Sequence, residues 1–443
     1  MNGPAQNGRL ERRIGLAGAI LLSFNGAVGA GIFALPATLA ADFGGFAPWL
    51  FPLVALGSLL IVVPFARAVA AFPESGGPAT YGRVFGRAAG FELGWIYYIA
   101  RVAAFAANAN VLISYLGRWW PVVGEGAFRA VTLIAVTAAL AAANIAGVKR
   151  ALAILTGFTV LKALPLVIVA IAAIAMFAPV PAPGPPPPLS QFEVGALVVF
   201  YAFVGFENVV VPAGETKRPA VTLPRAMLIT IASTALLYFL VQLAFVTVFP
   251  NGGADADAPM IDLGTKIAGS FGAIVLTLAA IFSLAGNLHG NMTATPRVTH
   301  AMAERGDLPR WFAAVHSRFA TPANSIGFMA VLAAALALTG SFVWLAVVST
   351  LARLFVYAAT IAALPKAPDR PRLTALHWLS GAAGIALCGY AALQADSKAW
   401  WTLAALAAAG VLLYALAASG KGSSTTADEV SEIQPPPSSR EPS

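Results

Sequence analysis

Residues 24–36 read FNGAVGAGIFALP, three glycines and a proline inside a long apolar run. Glycine costs about 1 kcal/mol against alanine in a helix interior, and a proline ring removes a backbone donor and clashes with the preceding turn. A membrane-crossing helix with Gly26, Gly29 and Gly31 at its centre and Pro36 beyond them is therefore a candidate to break. In a bilayer, freed N–H and C=O groups cost several kcal/mol each unless protein, water or a ligand satisfies them, so a break reads as a binding site. The competing reading is close helix packing, which small residues also serve in membranes.

Composition sets the class around this stretch. Of 443 residues, 59% are hydrophobic and 10% charged, more apolar surface than a soluble core buries, so the chain is expected to be an all-α polytopic membrane protein. The net charge of +8 arises from Lys and Arg clustered between apolar runs, a topology signal and not a nucleic-acid surface. One cysteine, Cys388, and four scattered histidines offer neither a disulfide nor metal-ligand spacing, and no cofactor is implied. The spans hold no HExxH, GxSxG or acidic pair, which argues against an enzyme.

Twelve spans are expected, at 14–41, 46–72, 89–117, 128–147, 151–177, 192–212, 223–249, 263–294, 324–338, 342–364, 374–393 and 400–418. The first apolar segment is longer than a signal-peptide core, so it is expected to remain in the mature chain. Alternate connections carry the positive charge, among them Arg83 with Arg87, Lys149 with Arg150, and Arg297 through Arg318. By the positive-inside rule these connections, the 1–13 segment and the 421–443 tail are cytoplasmic, in a multi-pass protein of the cell inner membrane. The tail has too few apolar residues to pack and is expected to be disordered, while the proline run at 179–188 is an extended outer connection.

A second interruption lies at 201–212, YAFVGFENVVVP, with Gly205 ahead of Glu207 and a closing Pro-Ala that matches Pro36-Ala37. It falls five spans after the first, so the two segments cross the bilayer in opposite directions. Two interrupted spans in matching positions of two halves indicate an inverted repeat with a transport site at the midplane. Repeat one takes about 14–178, repeat two about 192–364, and 374–418 forms peripheral helices of one transmembrane domain, 14–420.

Four blocks carry a family resemblance: GAGIFALPA at 29–37, PESGGPATYGRVFGRAAGFELGW at 73–95, FYAFVGFE at 200–207 with AGETKRPAVTLPRA at 213–226, and MAERGDLPRWFAAVHSRFATP at 302–322. Together they resemble the amino acid permeases of the amino acid-polyamine-organocation (APC) superfamily. The resemblance implies the five-plus-five inverted-repeat fold of the APC/LeuT type, with broken first and sixth helices and two peripheral spans. It also implies that backbone amides of Gly29, Ala30 and Gly31 hold the substrate carboxylate. A half-helix N-terminus, with roughly half a positive charge and exposed N–H groups, suits an anion for independent reasons.

On the sixth span the resemblance assigns the substrate amino group to carbonyls around Ala202, Phe203 and Gly205, with Tyr201 as an aromatic gate. Tyr201 is also open to a plain packing role. Glu207, costly at mid-span, reads either as a proton-coupling group or as a bridge between helices. Lys162 matches a lysine that some relatives place where sodium-coupled members of the fold bind sodium, which implies sodium independence, and a buried lysine can load and release a proton as a coupling group; the alternative is a lysine snorkelling to the cytoplasmic side. Arg101, Asn287 and Asn291 are either polar lining or helix-to-helix bonds, and Glu215, Lys217, Arg225, Arg83, Arg87 and Arg305 are candidates for inner-gate ion pairs.

The expected function is secondary active transport of amino acids, by proton symport first, with exchange, export or non-transporting sensing as alternatives. The partners are an amino acid, a proton and the lipid bilayer. The substrate side chain is left open, with a neutral apolar one as the working expectation.

Overall fold

A computed structural model describes residues 12, 14–72, 77–147, 151–177, 179–210, 213–367 and 372–431. Most of the 1–13 segment, Lys149 and Arg150, Pro212, and 432–443 of the tail lie outside the described residues.

The first span is two helices, α1 (Leu16–Ala27) and α2 (Gly31–Phe43), and α3 (Ala47–Ala70) returns across the molecule. The short α4 (Pro78–Gly82) leads into α5 (Arg87–Gly117); α6 (Pro121–Gly124), α7 (Gly126–Ile145) and α8 (Ala151–Met176) complete the first half. In the second half α9 (Leu189–Phe203) stops at mid-depth and is followed by a 3₁₀ turn, Phe206–Val210. Then come α10 (Pro219–Val248), α11 (Pro259–Ala294), α12 (Pro296–Glu304), α13 (Ala323–Thr339) and α14 (Phe342–Ala363), with α15 (Ala375–Leu393) and α16 (Ser397–Ser431) last.

Among the described residues ten apolar helical runs are long enough to cross a membrane, with α2 and α3 counted as one run. The shorter α1 and α13 account for the difference from twelve, because the break divides the first span and α13 has 17 residues. At 1.5 Å per residue α13 covers about 26 Å, close to the hydrocarbon thickness.

Two boundaries differ from expectation. The helix α11 bends at Ala268 and Gly269, where Gly269 takes φ +56°, so the eighth span starts beyond 263. The backbones of Gly264 and Gly272 pack against each other across that bend, too close for a side chain. At the other end, α16 runs on to Ser431, into the stretch expected to be a disordered tail, since no proline interrupts it before Pro435.

The centre of the molecule is α5, buried along most of its length and packed on α14, α11 and α13. On the far side α10 packs on α3, α8 and α1. Outer helices present Phe128, Ile134, Leu376, Leu393, Trp401 and Leu412 outward, the surface a lipid-facing helix requires. One end of the bundle carries Arg87, Arg305 and Asp307; the opposite end carries Arg118, which pairs with Asp255 and Asp262.

Candidate substrate site

The two broken spans meet at glycines. A Cβ on Gly205 would stand 2.4 Å from the carbonyl carbon of Gly26, and Gly205 itself has φ +116°. Only glycine satisfies both demands, because the left-handed region and backbone contact each exclude a side chain. Gly31 lies against Ala202 in the same way, with a Cβ position 3.0 Å from the Ala202 methyl. Helix break and close packing, posed as rivals by the sequence, are one arrangement.

Breaking α1 strands its last carbonyls, and the protein answers each with a side chain. Lys162 Nζ donates to the Asn25 carbonyl at 3.0 Å and to the Val28 carbonyl at 2.7 Å. Asn287 Nδ2 donates to Gly26 at 3.1 Å, Tyr238 Oη to Ala27 at 3.1 Å, and Ser283 Oγ to Val28 at 3.2 Å. The snorkelling reading of Lys162 is thereby corrected: the side chain is wholly buried and ends at the break. Its ammonium is drawn inward because the C-terminal carbonyls of a half-helix attract a cation.

The amides of the opposite half-helix are divided. Asn108 Oδ1 accepts the Ala30 N–H at 3.0 Å, and the Ala27 carbonyl accepts the Gly29 N–H at 2.9 Å. Two of the three amides expected to hold a carboxylate thus have protein partners. Gly31 opens α2 and lines the cavity, and its N–H, one of the first-turn donors, meets no acceptor among the described residues.

That cavity, of about 180 Å³, is bounded by Gly26, Gly29, Ala30 and Gly31 on one side and Tyr201, Val204 and Gly205 on the other. Its walls are Arg101 and Asn108 on α5, Asn287 and Asn291 on α11, Asn208, and Arg353 on α14. Tyr201 lines it, its hydroxyl 3.4 Å from Asn108 Nδ2 and its ring edge-on to Phe342. Ala202 and Phe203 do not line the cavity: Ala202 is spent on Gly31, and Phe203 is buried against Phe51 and Tyr238.

Glu207 lies behind the cavity. Its Oε1 accepts from Arg353 Nε at 2.8 Å and its Oε2 from the Gly205 N–H at 2.8 Å, so both oxygens are engaged. These are the contacts of a bridge between the sixth and tenth spans. Sequence reasoning passed over Arg353, although an acid at mid-span demands a buried partner. Asn108 and Asn208 were missed as well, and amides in apolar runs carry no distinguishing local signal.

At the basic end Arg87 meets Asp307 at 2.6 Å, with Arg83 at 3.7 Å and Arg305 at 3.8 Å from the same carboxylate. Burial, then the neighbouring Arg83, pull the Arg305 guanidinium below its ordinary value, as expected when like charges share one acid. Ion pairs expected of Arg83, Arg87 and Arg305 form here around an acid the sequence reading had not selected. Glu215 and Lys217 instead hold the start of α1 through their backbones, on both sides of Ile14.

Residues 14–428 match the family described as amino acid permease. The chain belongs to the amino acid permease family. This permease is similar to an uncharacterized transporter of Mycobacterium tuberculosis (strain ATCC 25618 / H37Rv), 30% identical over 404 residues covering 86% of each chain. It is also similar to a serine/threonine exchanger of Bacillus subtilis (strain 168), 30% identical over 73% of this chain and 76% of the relative. A cadaverine/lysine antiporter of Escherichia coli (strain K12) is 24% identical over 69% and 70% of the two chains. Among solved structures, MhsT in complex with L-phenylalanine superposes with a TM-score of 0.61 at 14% identity, over 86% of the permease and 98% of MhsT. That likeness gives the permease the APC/LeuT-type fold, an integral membrane architecture with the first and sixth helices broken.

Proposed function

We propose that this permease is a secondary active transporter moving amino acids by alternating access, with the cavity between the two breaks as its substrate site. The observation that carries the reading is the contact of Gly26 with Gly205 beside the first-turn amide of Gly31, all on one cavity. The substrate carboxylate sits at the N-terminus of α2 and its amino group faces the end of α9, each half-helix dipole matched to the opposite charge. Movement of α1 and α9 against α5 and α11 opens the cavity to one side at a time.

Lys162 supports proton coupling without sodium, because its ammonium occupies the carbonyls of Asn25 and Val28 where a free cation would bind. Exchange is the second reading, favoured by the serine/threonine exchanger among the relatives. Clustering of Arg83, Arg87 and Arg305 at one end supports placing that end and both termini in the cytoplasm of a cell whose inner membrane holds the protein.

Purified protein in proteoliposomes decides between these. Uptake of radiolabelled amino acids driven by a proton gradient, indifferent to sodium and lost in Lys162→Ala, is the expected result. Uptake that requires an amino acid on the far side and ignores both gradients establishes exchange, and binding without flux under any condition defeats transport.

A further inference from the structure

Arg101 is 5% exposed, lies on the cavity wall, and has no carboxylate partner among the described residues. Its Nε donates to Thr295 Oγ1 at 2.7 Å, and its Nη1 to Asn208 Oδ1 at 2.7 Å and Tyr97 Oη at 3.1 Å. All three acceptors are neutral, and Nη2 donates to none of the described residues. A guanidinium stays charged, and a charge buried at membrane depth without a counter-ion is costly enough to mark function. The second arginine on the cavity, Arg353, is neutralised by Glu207, so among the described residues lining the cavity Arg101 is the one charge without a counter-ion.

We propose that the cavity is built for an amino acid whose side chain carries a carboxylate, and that Arg101 receives that carboxylate. The inference rests on the reading of the cavity as an amino acid site. Asn108 and Arg101 stand seven residues apart on α5, hence on one face and about 10 Å apart along the axis. Asn108 marks the level of the Ala30 and Gly31 amides. One carboxylate cannot reach both poles. Two hydrogen bonds of about 2.9 Å leave about 4 to 5 Å between them, the span of a short dicarboxylic amino acid. A zwitterion with a neutral side chain leaves Arg101 uncompensated, and a cationic side chain adds repulsion. The working expectation of a neutral apolar substrate gives way on this point.

The test is proteoliposome uptake of glutamate and glutamine, matched in shape and differing in charge, with aspartate, lysine and amine-free glutarate as unlabelled competitors. Wild-type protein is expected to favour glutamate over glutamine at least tenfold, with aspartate competing and lysine not. Weak competition by glutarate shows that the amine is also read. In Arg101→Gln the glutamate-to-glutamine ratio falls at least tenfold, and Arg101→Lys restores part of it. Equal wild-type uptake of glutamate and glutamine, or a ratio indifferent to Arg101→Gln in folded protein, overturns this assignment while leaving amino acid transport intact. Absence of flux for every amino acid overturns both. Should the variant fail to fold, the wild-type selectivity series decides alone.

Discussion

Arg353 Nε stands 2.8 Å from Glu207 Oε1, and the two side chains are 4% and 3% exposed. The pair fastens the broken sixth span to α14 at the back of the cavity. Removing one partner leaves the other charge buried and unpaired, which costs about 3 to 5 kcal/mol. Glu207→Gln and Arg353→Met are each expected to lower the thermal midpoint of the detergent-solubilised protein sharply. The double variant Glu207→Gln/Arg353→Met recovers much of the loss, because neither charge then remains. Strictly additive losses in that cycle would show that the two side chains are not coupled.

The glycine contact predicts an order of severity. At Gly205 an added Cβ meets backbone atoms of Gly26 at 2.4 Å with φ at +116°, whereas at Gly26 the nearest obstacle is the end of the Asn208 side chain. Backbone cannot yield as a side chain can, so Gly205→Ala is expected to abolish uptake and Gly26→Ala to reduce it. Gly57→Ala, with open space around it on α3, is neutral or stabilises by about 0.5 to 1 kcal/mol. An active Gly205→Ala protein would contradict the geometry of the two breaks.

Asn108 offers a test of the amide pole. Its Oδ1 accepts the Ala30 N–H at 3.0 Å, one residue before the Gly31 amide where the substrate carboxylate is proposed to sit. Asn108→Asp keeps the acceptor and adds a negative charge at a half-helix N-terminus that would otherwise serve the substrate. The expected outcome is a KM for uptake raised at least tenfold, together with a lowered thermal midpoint because the Nδ2 donor to the Ala104 carbonyl is lost. A KM unchanged within twofold would place the carboxylate elsewhere.

Asp307 holds three arginines of which Arg83 and Arg87 are about half exposed, with side-chain exposures of 46% and 50%. Such pairs are screened by water and salt, so Asp307→Asn is expected to cost only about 1 to 2 kcal/mol. The larger effect is local: released like charges loosen the α5 start and the turn after α12. Hydrogen exchange at 305–309 should quicken in the variant, and added salt should narrow its difference from wild type.

Much of this architecture was legible because it is written in local terms. Apolar run length marks a span, clustered Lys and Arg mark one side, and Gly26, Gly29 and Gly31 mark a break, all within a few residues of one another. Lys162 was legible as a charge out of place. Arg353, Asn108 and Asn208 were not, since each acts on a partner far away in sequence. The bend of α11 at Gly269 escaped notice because hydropathy continues smoothly through it.

The stretch FNGAVGAGIFALP by itself marked the first span as a candidate to break and made any chemistry there backbone chemistry; its partner at 201–212, also read from sequence, favoured the break. Glycine and proline act on their own φ, ψ and hydrogen bonds, and no distant residue can alter that. What the freed groups meet was decided only by tertiary structure. Ala30 finds Asn108 across 78 positions, Asn25 finds Lys162 across 137, and Glu207 finds Arg353 across 146. A backbone group stranded at membrane depth must be satisfied by whatever packing brings near it, and packing is a property of the whole chain. For the same reason the amides at 29–31, alike in sequence, differ in the folded protein: those of Gly29 and Ala30 are taken, and that of Gly31, on the cavity wall, meets no acceptor among the described residues.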